Sequence, residues 1–529
     1  MRIALIASPY PLEEAPSPPL GLSYVAAACE AAGATVRVFD FIVSRYTPEK
    51  LAAALDSFRP DAVGAASVTM NFHKAAAIIQ DVKRYNPEIV TMMGGPHVSF
   101  DIENTLRSYP EIDLIVVGEG EQTLSELVPV LNSPEEWERI RGIAFRRDGV
   151  VHVTPARALI EDLDALPLPA RHLLPMSRYL ALGYPVSIIT SRGCPNKCIF
   201  CLGRKMVGFK GRFRNPKLVV DEIEQILAYG FTRINIADDL FTANKQRVSA
   251  LCEEILHRGV KFTWSAFARV NTVDRELLAI MKEAGCDAIS FGIESGNPEM
   301  LKRIKKGITI EQAREATRIC KEAGITTHAS FMVGLPGETP ETLAETARFA
   351  QDLGIYFGYH MLAPFPGTTV REEIGAYDLQ ILTDDWSLYD ANHPVVRTSK
   401  VSPKDMVSFV KTCDEILDSQ WQEVLRRYES RQCTPHEELL VVGRKRMNLI
   451  FKLLSEDVIE QIELQGAQGS DPVAALAPAV VQKVGEDLKF VSWTLKTLMD
   501  AGYIRLDTSN GSSRFFWTHN REVESLPVP

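Results

Sequence analysis

Residues 185–201 read PVSIITSRGCPNKCIFC. The first seven are a short, mostly apolar run, which predicts a buried strand over 185–191. The rest place Cys194, Cys198 and Cys201 in a C-x3-C-x2-C array in the loop that follows the strand. Thiolates are soft ligands suited to iron–sulfur clusters or to zinc. Three close thiolates can hold three irons of a cubane and leave the fourth iron open to a small chelating ligand. The same trio would leave a zinc ion one ligand short. The chain has nine cysteines, and an odd number in 529 residues argues against a disulfide framework. The other six are scattered, mostly in helical patterns such as RVSALCEEIL, and read as small buried apolar residues.

Downstream of the array the same strand-then-helix rhythm repeats. Strands are predicted at 233–238, 262–268, 288–293, 327–333 and 355–362, with amphipathic helices at about 217–229, 244–258, 274–284, 311–323 and 340–353. Six such steps over 185–370 predict a partial (β/α)6 barrel, too short for eight, with its working residues at the carboxyl ends of the strands. Upstream, 1–132 alternates continuous apolar strands (2–8, 35–41, 62–68, 89–95, 113–118) with helices (20–32, 48–58, 72–85, 101–108). This predicts an α/β, Rossmann-like parallel sheet covered on both faces. Such sheets bind ligands at the strand carboxyl ends. Here that edge carries Ser67 and Thr69, then Gly94-Gly95-Pro96-His97, then Gly118-Glu119-Gly120. Residues 133–184, with the proline-rich LPLPARHLLP, read as a connector. Residues 371–529 form a helical C-terminal domain, with helices at 403–428 and 436–464. Its end, 472–520, is winged-helix-like, with a hairpin around Asn510-Gly511.

A net charge of −10 argues against nucleic acid as a partner, because phosphate binding needs clustered cations. No run of 18 or more apolar residues is present, so no transmembrane segment is expected. The N-terminus reads as a first strand and not as a signal peptide, which points to the cytoplasm.

With Phe200 supplying the aromatic residue of C-x3-C-x-aromatic-C, the array resembles that of the radical S-adenosylmethionine (SAM) superfamily. The resemblance implies a [4Fe–4S] cluster on Cys194, Cys198 and Cys201. The cluster passes one electron to SAM and releases a 5′-deoxyadenosyl radical. It also implies an external one-electron reductant of flavodoxin or ferredoxin type. By position, the SAM contacts implied are Phe200 itself, Asp238 and Asp239 in IADDLFT, Arg269, Glu294 in FGIESG, and Gly334 and Gly337 in MVGLPGET. A solvated turn for the aspartates and an ion pair for Glu294 are the competing readings, and surface or structural pairing is an equal alternative for Arg269.

The sheet domain ahead of such a barrel resembles the cobalamin-binding branch of that superfamily, over residues 1 to about 370. The resemblance is carried by PPLGLSYVAAACEAAG (18–33), SVTMN (67–71), MMGGPHVSF (92–100) and VVGEGEQTL (116–124). It implies cobalamin held by Pro19, Gly21, Ser67, Thr69, Gly94, Gly95, His97, Gly118, Glu119 and Gly120. The D-x-H-x-x-G motif of many cobalamin proteins does not occur. His97 reads as a loop histidine more readily than as a cobalt ligand. The implied reaction is methylation of an unactivated carbon through methylcobalamin and the 5′-deoxyadenosyl radical, on a small-molecule or peptide substrate. A cyclase-like reaction without methyl transfer is the alternative within the superfamily. A non-catalytic cobalamin or redox sensor is the alternative outside it. No residue pattern assigns a catalytic acid or base, or the substrate.

Overall fold

The segment Arg2–Ala7 (β1) reads RIALIA and is buried after its first residue. It pairs in parallel with Thr35–Asp40 (β2) on one side and Ala62–Ala66 (β3) on the other. Val90–Gly94 (β4) and Leu114–Val116 (β5) continue the parallel sheet. Ile3, Leu5 and Met92 pack on one face of it, and Ala4, Ile6 and Met93 on the other. Alternation within continuous apolar strands therefore feeds two cores. Helices Leu20–Ala31 (α1), Pro48–Phe58 (α2), Phe72–Tyr85 (α3), Ile102–Ser108 (α4) and Glu121–Leu127 (α5) lie between and after the strands. The computed structural model describes residues 1–9, 16–464, 471–507 and 513–519.

The sheet does not stop at β5. Ile143–Arg147 (β6) and Val150–Val153 (β7) add two antiparallel strands at its edge, giving the order β2-β1-β3-β4-β5-β6-β7. These strands fall inside the stretch expected to be a connector. Their signal is a two-residue hairpin, IAFRR-DG-VVHV. Asp148 (φ 51°) and Gly149 (φ 76°) both adopt the left-handed conformation that such tight hairpins need.

The second sheet runs in chain order through Val186–Ile188 (β8), Arg233–Ile236 (β9), Thr263–Ala268 (β10), Cys286–Glu294 (β11), Thr326–Val333 (β12) and Tyr356–Met361 (β13), every pair parallel. It is an open six-step barrel. Its helices are Pro216–Tyr229 (α6), Lys245–His257 (α7), Arg275–Glu283 (α8), Ile310–Glu322 (α9) and Pro340–Asp352 (α10). Asn215, Asn244, Asp274, Thr309 and Thr339 each accept a first-turn amide at the helix start. Each cap satisfies a donor that the helix itself leaves unpaired, and so sets where the strand-end loop stops.

The C-terminal part contains Pro403–Glu429 (α11), Pro435–Ser455 (α12), Pro472–Val484 (α13) and Leu488–Asp500 (α14). Antiparallel strands Ile504–Asp507 (β14) and Ser513–Trp517 (β15) follow. The helix expected over 436–464 ends at Ser455, and Asp457 just beyond it takes φ 50°, which an α-helix cannot continue. Two helices followed by a hairpin match the expected winged-helix order, although the Asn510-Gly511 turn lies outside the described residues. The hairpin seats on the helix Met176–Leu182: Thr518 Oγ1 donates to Ser177 Oγ at 2.8 Å, and the Ser177 amide donates to the His519 carbonyl at 3.3 Å. Among the described residues no helix is long and apolar enough to cross a membrane.

Candidate functional site

The carboxyl edges of the two sheets face each other across a cavity of about 570 Å3. One wall is built from the ends of β1, β3, β4 and β5 and the start of α1. It includes Ser8, Pro19, Gly21, Ser67, Gly94, Gly95, Gly118, Glu119 and Gly120. The opposite wall is the barrel's: Ile189, Ser191 and Arg192 after β8, Met206 and Val207, and Ala237 and Asp239 after β9. Leu5, Leu22, Val25, Met92, Val116 and Leu124 make much of the remaining surface apolar.

A Cβ added at Gly21 or Gly118 would meet nothing within 4 Å, so both leave open space toward the cavity. Gly95 serves a different purpose. At φ 104° its added Cβ would lie 2.4 Å from the Ser67 carbonyl oxygen, so glycine there permits β3 and β4 to end side by side. The hydroxyls of Ser8 and Ser67 are buried and have no hydrogen-bond partner among the described residues. Unpaired buried hydroxyls in a wall of small residues fit a bulky ligand that carries hydrogen-bonding groups on an apolar frame, as cobalamin does. Ser8 was not expected, although its place one residue beyond β1 is equivalent to that of Ser67 beyond β3.

Two expected members of this wall are elsewhere. Thr69 and His97 do not line the cavity. His97 is 1% exposed, stacks on Phe72 with ring centroids 4.1 Å apart, and meets the edge of Trp386. Its Nδ1 lies 3.4 Å from Thr69 Oγ1. Burial, together with the charges of His73 and Arg371, pushes its imidazole down to about 3. The side chain follows the short helix Pro96–Phe100 into the core, away from the cavity, and is packed as a neutral aromatic ring.

Glu119 and Glu121 also tie the two walls together. Arg192 reaches Glu119 at 3.1 Å and Glu121 at 2.5 Å, and Arg212 reaches Glu119 at 2.8 Å. All four side chains are at most 10% exposed. Burial works to raise the Glu119 carboxyl. The Arg212 hydrogen bond, the Ile160 amide and the Arg192 charge outweigh it and leave the group below its ordinary value.

Arg192 leads directly into the cysteine loop. Cys194 and Cys198 are half-buried, Cys201 is exposed, and none is in a disulfide. Among the described residues no three His, Cys, Asp or Glu side chains converge closely enough to hold an ion, this triad included. The donor chemistry nevertheless fits a cluster. Asn196 Nδ2 lies 3.3 Å from Cys194 Sγ and Arg269 Nη1 lies 3.5 Å from Cys198 Sγ, so sulfur-bound negative charge would meet donors already in place.

The expected SAM contacts separate into two groups. Asp238 is internal: its carboxylate accepts the Thr190 amide, the Thr190 hydroxyl and the Ser191 hydroxyl, all at 2.6 Å, and the residue is 3% exposed. Asp239 is the available one. It lines the cavity and accepts the Gly193 amide at 3.0 Å, one residue before the triad, and burial raises its carboxyl. Arg269 also donates to the Lys306 carbonyl, so it bridges the triad and the turn that follows the helix Pro298–Arg303. Glu294 ends β11 at φ 75°, unusual for a residue with a side chain, and pairs with buried Lys306 at 2.7 Å. Lys306 Nζ in turn lies 5.7 Å from the Phe200 ring. No sequence pattern singles out Lys306, because only the fold brings it to Glu294. Gly334 (φ 88°) and Gly337 (φ 71°) form the turn after β12. An added Cβ at Gly337 would fall on the Arg303 guanidinium. The turn is held from inside by Glu338, which accepts the Gly334 amide at 2.6 Å.

Comparison with known proteins agrees with both halves. Residues 188–350 match the radical SAM superfamily model, and residues 14–128 match the B12 binding domain. The chain is 36% identical to an uncharacterised methyltransferase of Pyrococcus horikoshii, over 74% of this chain and 87% of that one. It is 32% identical to the anaerobic magnesium-protoporphyrin IX monomethyl ester cyclase of Rubrivivax gelatinosus, over 74% and 72%. The fold superposes on the cobalamin-dependent S-adenosylmethionine radical enzyme OxsB with aqua-cobalamin and S-adenosylmethionine bound. That match has a TM-score of 0.67 at 18% identity and covers 95% of this chain and 80% of that one. The chain therefore belongs to the cobalamin-dependent radical SAM superfamily, an enzyme family whose cofactors are a [4Fe–4S] cluster, SAM and cobalamin.

Proposed function

We propose that the protein is a methyltransferase that places a methyl group on an unactivated carbon or another weakly nucleophilic centre. One observation carries the reading: the cobalamin-type cavity and the cysteine loop share a wall, in which Arg192 and Asp239 belong to both. When bound there, cobalamin supplies a methyl carrier, and the cluster with SAM supplies one-electron cleavage of a carbon–sulfur bond. The remaining work falls to the chain. Cys194, Cys198 and Cys201 would hold the cluster, with Asn196 and Arg269 donating toward the sulfurs. Asp239 fixes the Gly193 amide and presents its second carboxylate oxygen where an ammonium group of SAM would be met. Gly334 and Gly337 permit the tight turn after β12, against whose backbone a flat base would lie, and Glu294 with Lys306 ends the neighbouring strand. Ser8 and Ser67 offer hydroxyls to the cobalamin tail. The buried Glu119–Arg192–Glu121 clamp keeps the two walls together and excludes water from the space between them, which protects radical chemistry.

The reductant would be a small flavodoxin- or ferredoxin-type protein, and the compartment the cytoplasm. The C-terminal hairpin, seated on Met176–Leu182, is read as packing and not as a DNA-binding wing.

The test uses reconstituted enzyme, a low-potential reductant, SAM with a deuterated methyl group, and a small-molecule extract from cells lacking the gene. One extract component should gain one intact deuterated methyl. S-adenosylhomocysteine and 5′-deoxyadenosine should accumulate in equal amounts. An unlabelled product carrying oxygen from water, with 5′-deoxyadenosine alone, would replace this reading with the cyclase-like one.

A further inference from the structure

A second cavity of about 840 Å3 opens at the same carboxyl edge of the N-terminal sheet, between the ends of β1 and β2, helix α3 and helix α12. It adjoins the first, because Ile42 lines both. Its floor is apolar: Phe41 after β2, Ile78 from α3 and Phe451 from α12. Among the described residues, every charged side chain in its wall is a cation, namely Arg45, Lys74 and Lys452.

Among the described residues these cations lack counter-ions. Arg45 and Lys74 are exposed, and among the described residues neither side chain has a hydrogen bond or an ion pair. Among the described residues Lys452 Nζ donates only to the Val484 carbonyl, at 3.1 Å. Two nearby acids, Asp457 and Asp81, are engaged with other groups. Asp457 accepts the Arg45 backbone amide and pairs with Lys50. Asp81 takes the Tyr46 hydroxyl and Arg84. Like charges around one cleft repel each other, and an apolar floor beneath them lowers the local dielectric and strengthens their pull on an anion. The floor in turn favours a ligand with an apolar body. Neither the floor nor the cations belong to the cobalamin or SAM contacts described above.

We propose that this cleft binds one amphipathic anion, a carboxylate or phosphate on an apolar body, beside the cobalamin cavity. The charged end lies among Arg45, Lys74 and Lys452. The apolar end lies on Phe41, Ile78 and Phe451 and points along the wall that Ile42 shares with the first cavity.

The site can be tested by binding alone, in the full-length protein loaded with cobalamin. Calorimetric titration with decanoate and with decyl phosphate should show one saturable site for at least one of them. Whichever binds more tightly identifies the headgroup. Decanol should bind at least about tenfold more weakly, and decyltrimethylammonium and inorganic phosphate more weakly still. The Arg45→Gln/Lys74→Gln double variant should weaken anion binding by about tenfold or more and leave decanol unchanged. Ala77 is exposed in the cleft wall, so Ala77→Phe should fill the space and remove binding of every decyl compound while the cobalamin spectrum persists. Equal affinity for decanoate, decyl phosphate and decanol would overturn the proposal, as would anion binding undiminished in both variants.

Discussion

Asp238 and Asp239 are neighbours in sequence and differ in use. Asp238 accepts three hydrogen bonds from Thr190 and Ser191, whereas Asp239 faces the cavity and the cysteine loop. Asp238→Ala should cost about 1–3 kcal/mol by leaving the Thr190 amide unpaired, read as a lower urea midpoint, while Asp239→Asn should keep the midpoint and weaken SAM binding. Equal losses of stability in the two would contradict the assignment. Replacing Cys194, Cys198 and Cys201 together by Ala should abolish the charge-transfer absorption of anaerobically reconstituted protein, and retention of full iron content would remove the cluster from this loop. Glu338 gives a pH signature. Burial pushes its carboxyl up to about 8 against the pull of the Gly334 and Leu335 amides. A carboxyl raised on folding binds its proton more tightly in the folded state. Its stabilisation is therefore complete below its unfolded value and is lost as pH rises through about 8. The wild type should lose urea stability from pH 6 to pH 9, and Glu338→Gln, which cannot ionise, should lose less; parallel profiles would refute the shift. The triad was legible in sequence because spacing within one loop needs no fold to be seen. Lys306 was not, since its partner Glu294 is brought to it by a turn that spacing does not reveal. His97 was misplaced because its glycine-rich surroundings resemble a ligand loop, while its own side chain follows a short helix inward.

Among the elements, the parallel strands and their capped helices follow from periodicity and from Asn, Asp or Thr at the helix starts, and both sheets could be anticipated in order. The β6–β7 hairpin could not be separated from its flanks. Its Asp148-Gly149 turn is a strong local signal, yet the prolines that follow draw the whole stretch toward a connector. That hairpin closes the N-terminal sheet edge. The loop after β5 in turn carries Glu119 and Glu121 to Arg192. Sequence distance hides such a clamp, because its members are more than seventy residues apart. Arg192→Met would leave Glu121 buried without its cation and should cost about 3–5 kcal/mol. The same change should speed proteolysis between the two domains. A loss below about 1 kcal/mol, the range of exposed pairs, would show that the clamp is not the joint between them.

At the scale of the whole molecule, two sheets present their carboxyl edges to one shared space, the arrangement that open α/β sheets and β/α barrels each use for ligands. Joining them puts a cavity of small residues and buried hydroxyls against the loop that bears the three cysteines. The cofactor pair fits that juxtaposition. The substrate is not written in either sheet. The central claim is that cobalamin occupies this cavity, and Gly21 tests it without disturbing the fold, because a side chain there would enter open space. Wild type and Gly21→Leu, both carrying the intact cluster, should be titrated anaerobically with hydroxocobalamin and followed by visible absorption. The wild type should bind one equivalent in the base-off form, and Gly21→Leu should bind at least about tenfold more weakly with unchanged iron content. Normal cobalamin binding by Gly21→Leu, or a base-on spectrum in the wild type, would place the cofactor elsewhere.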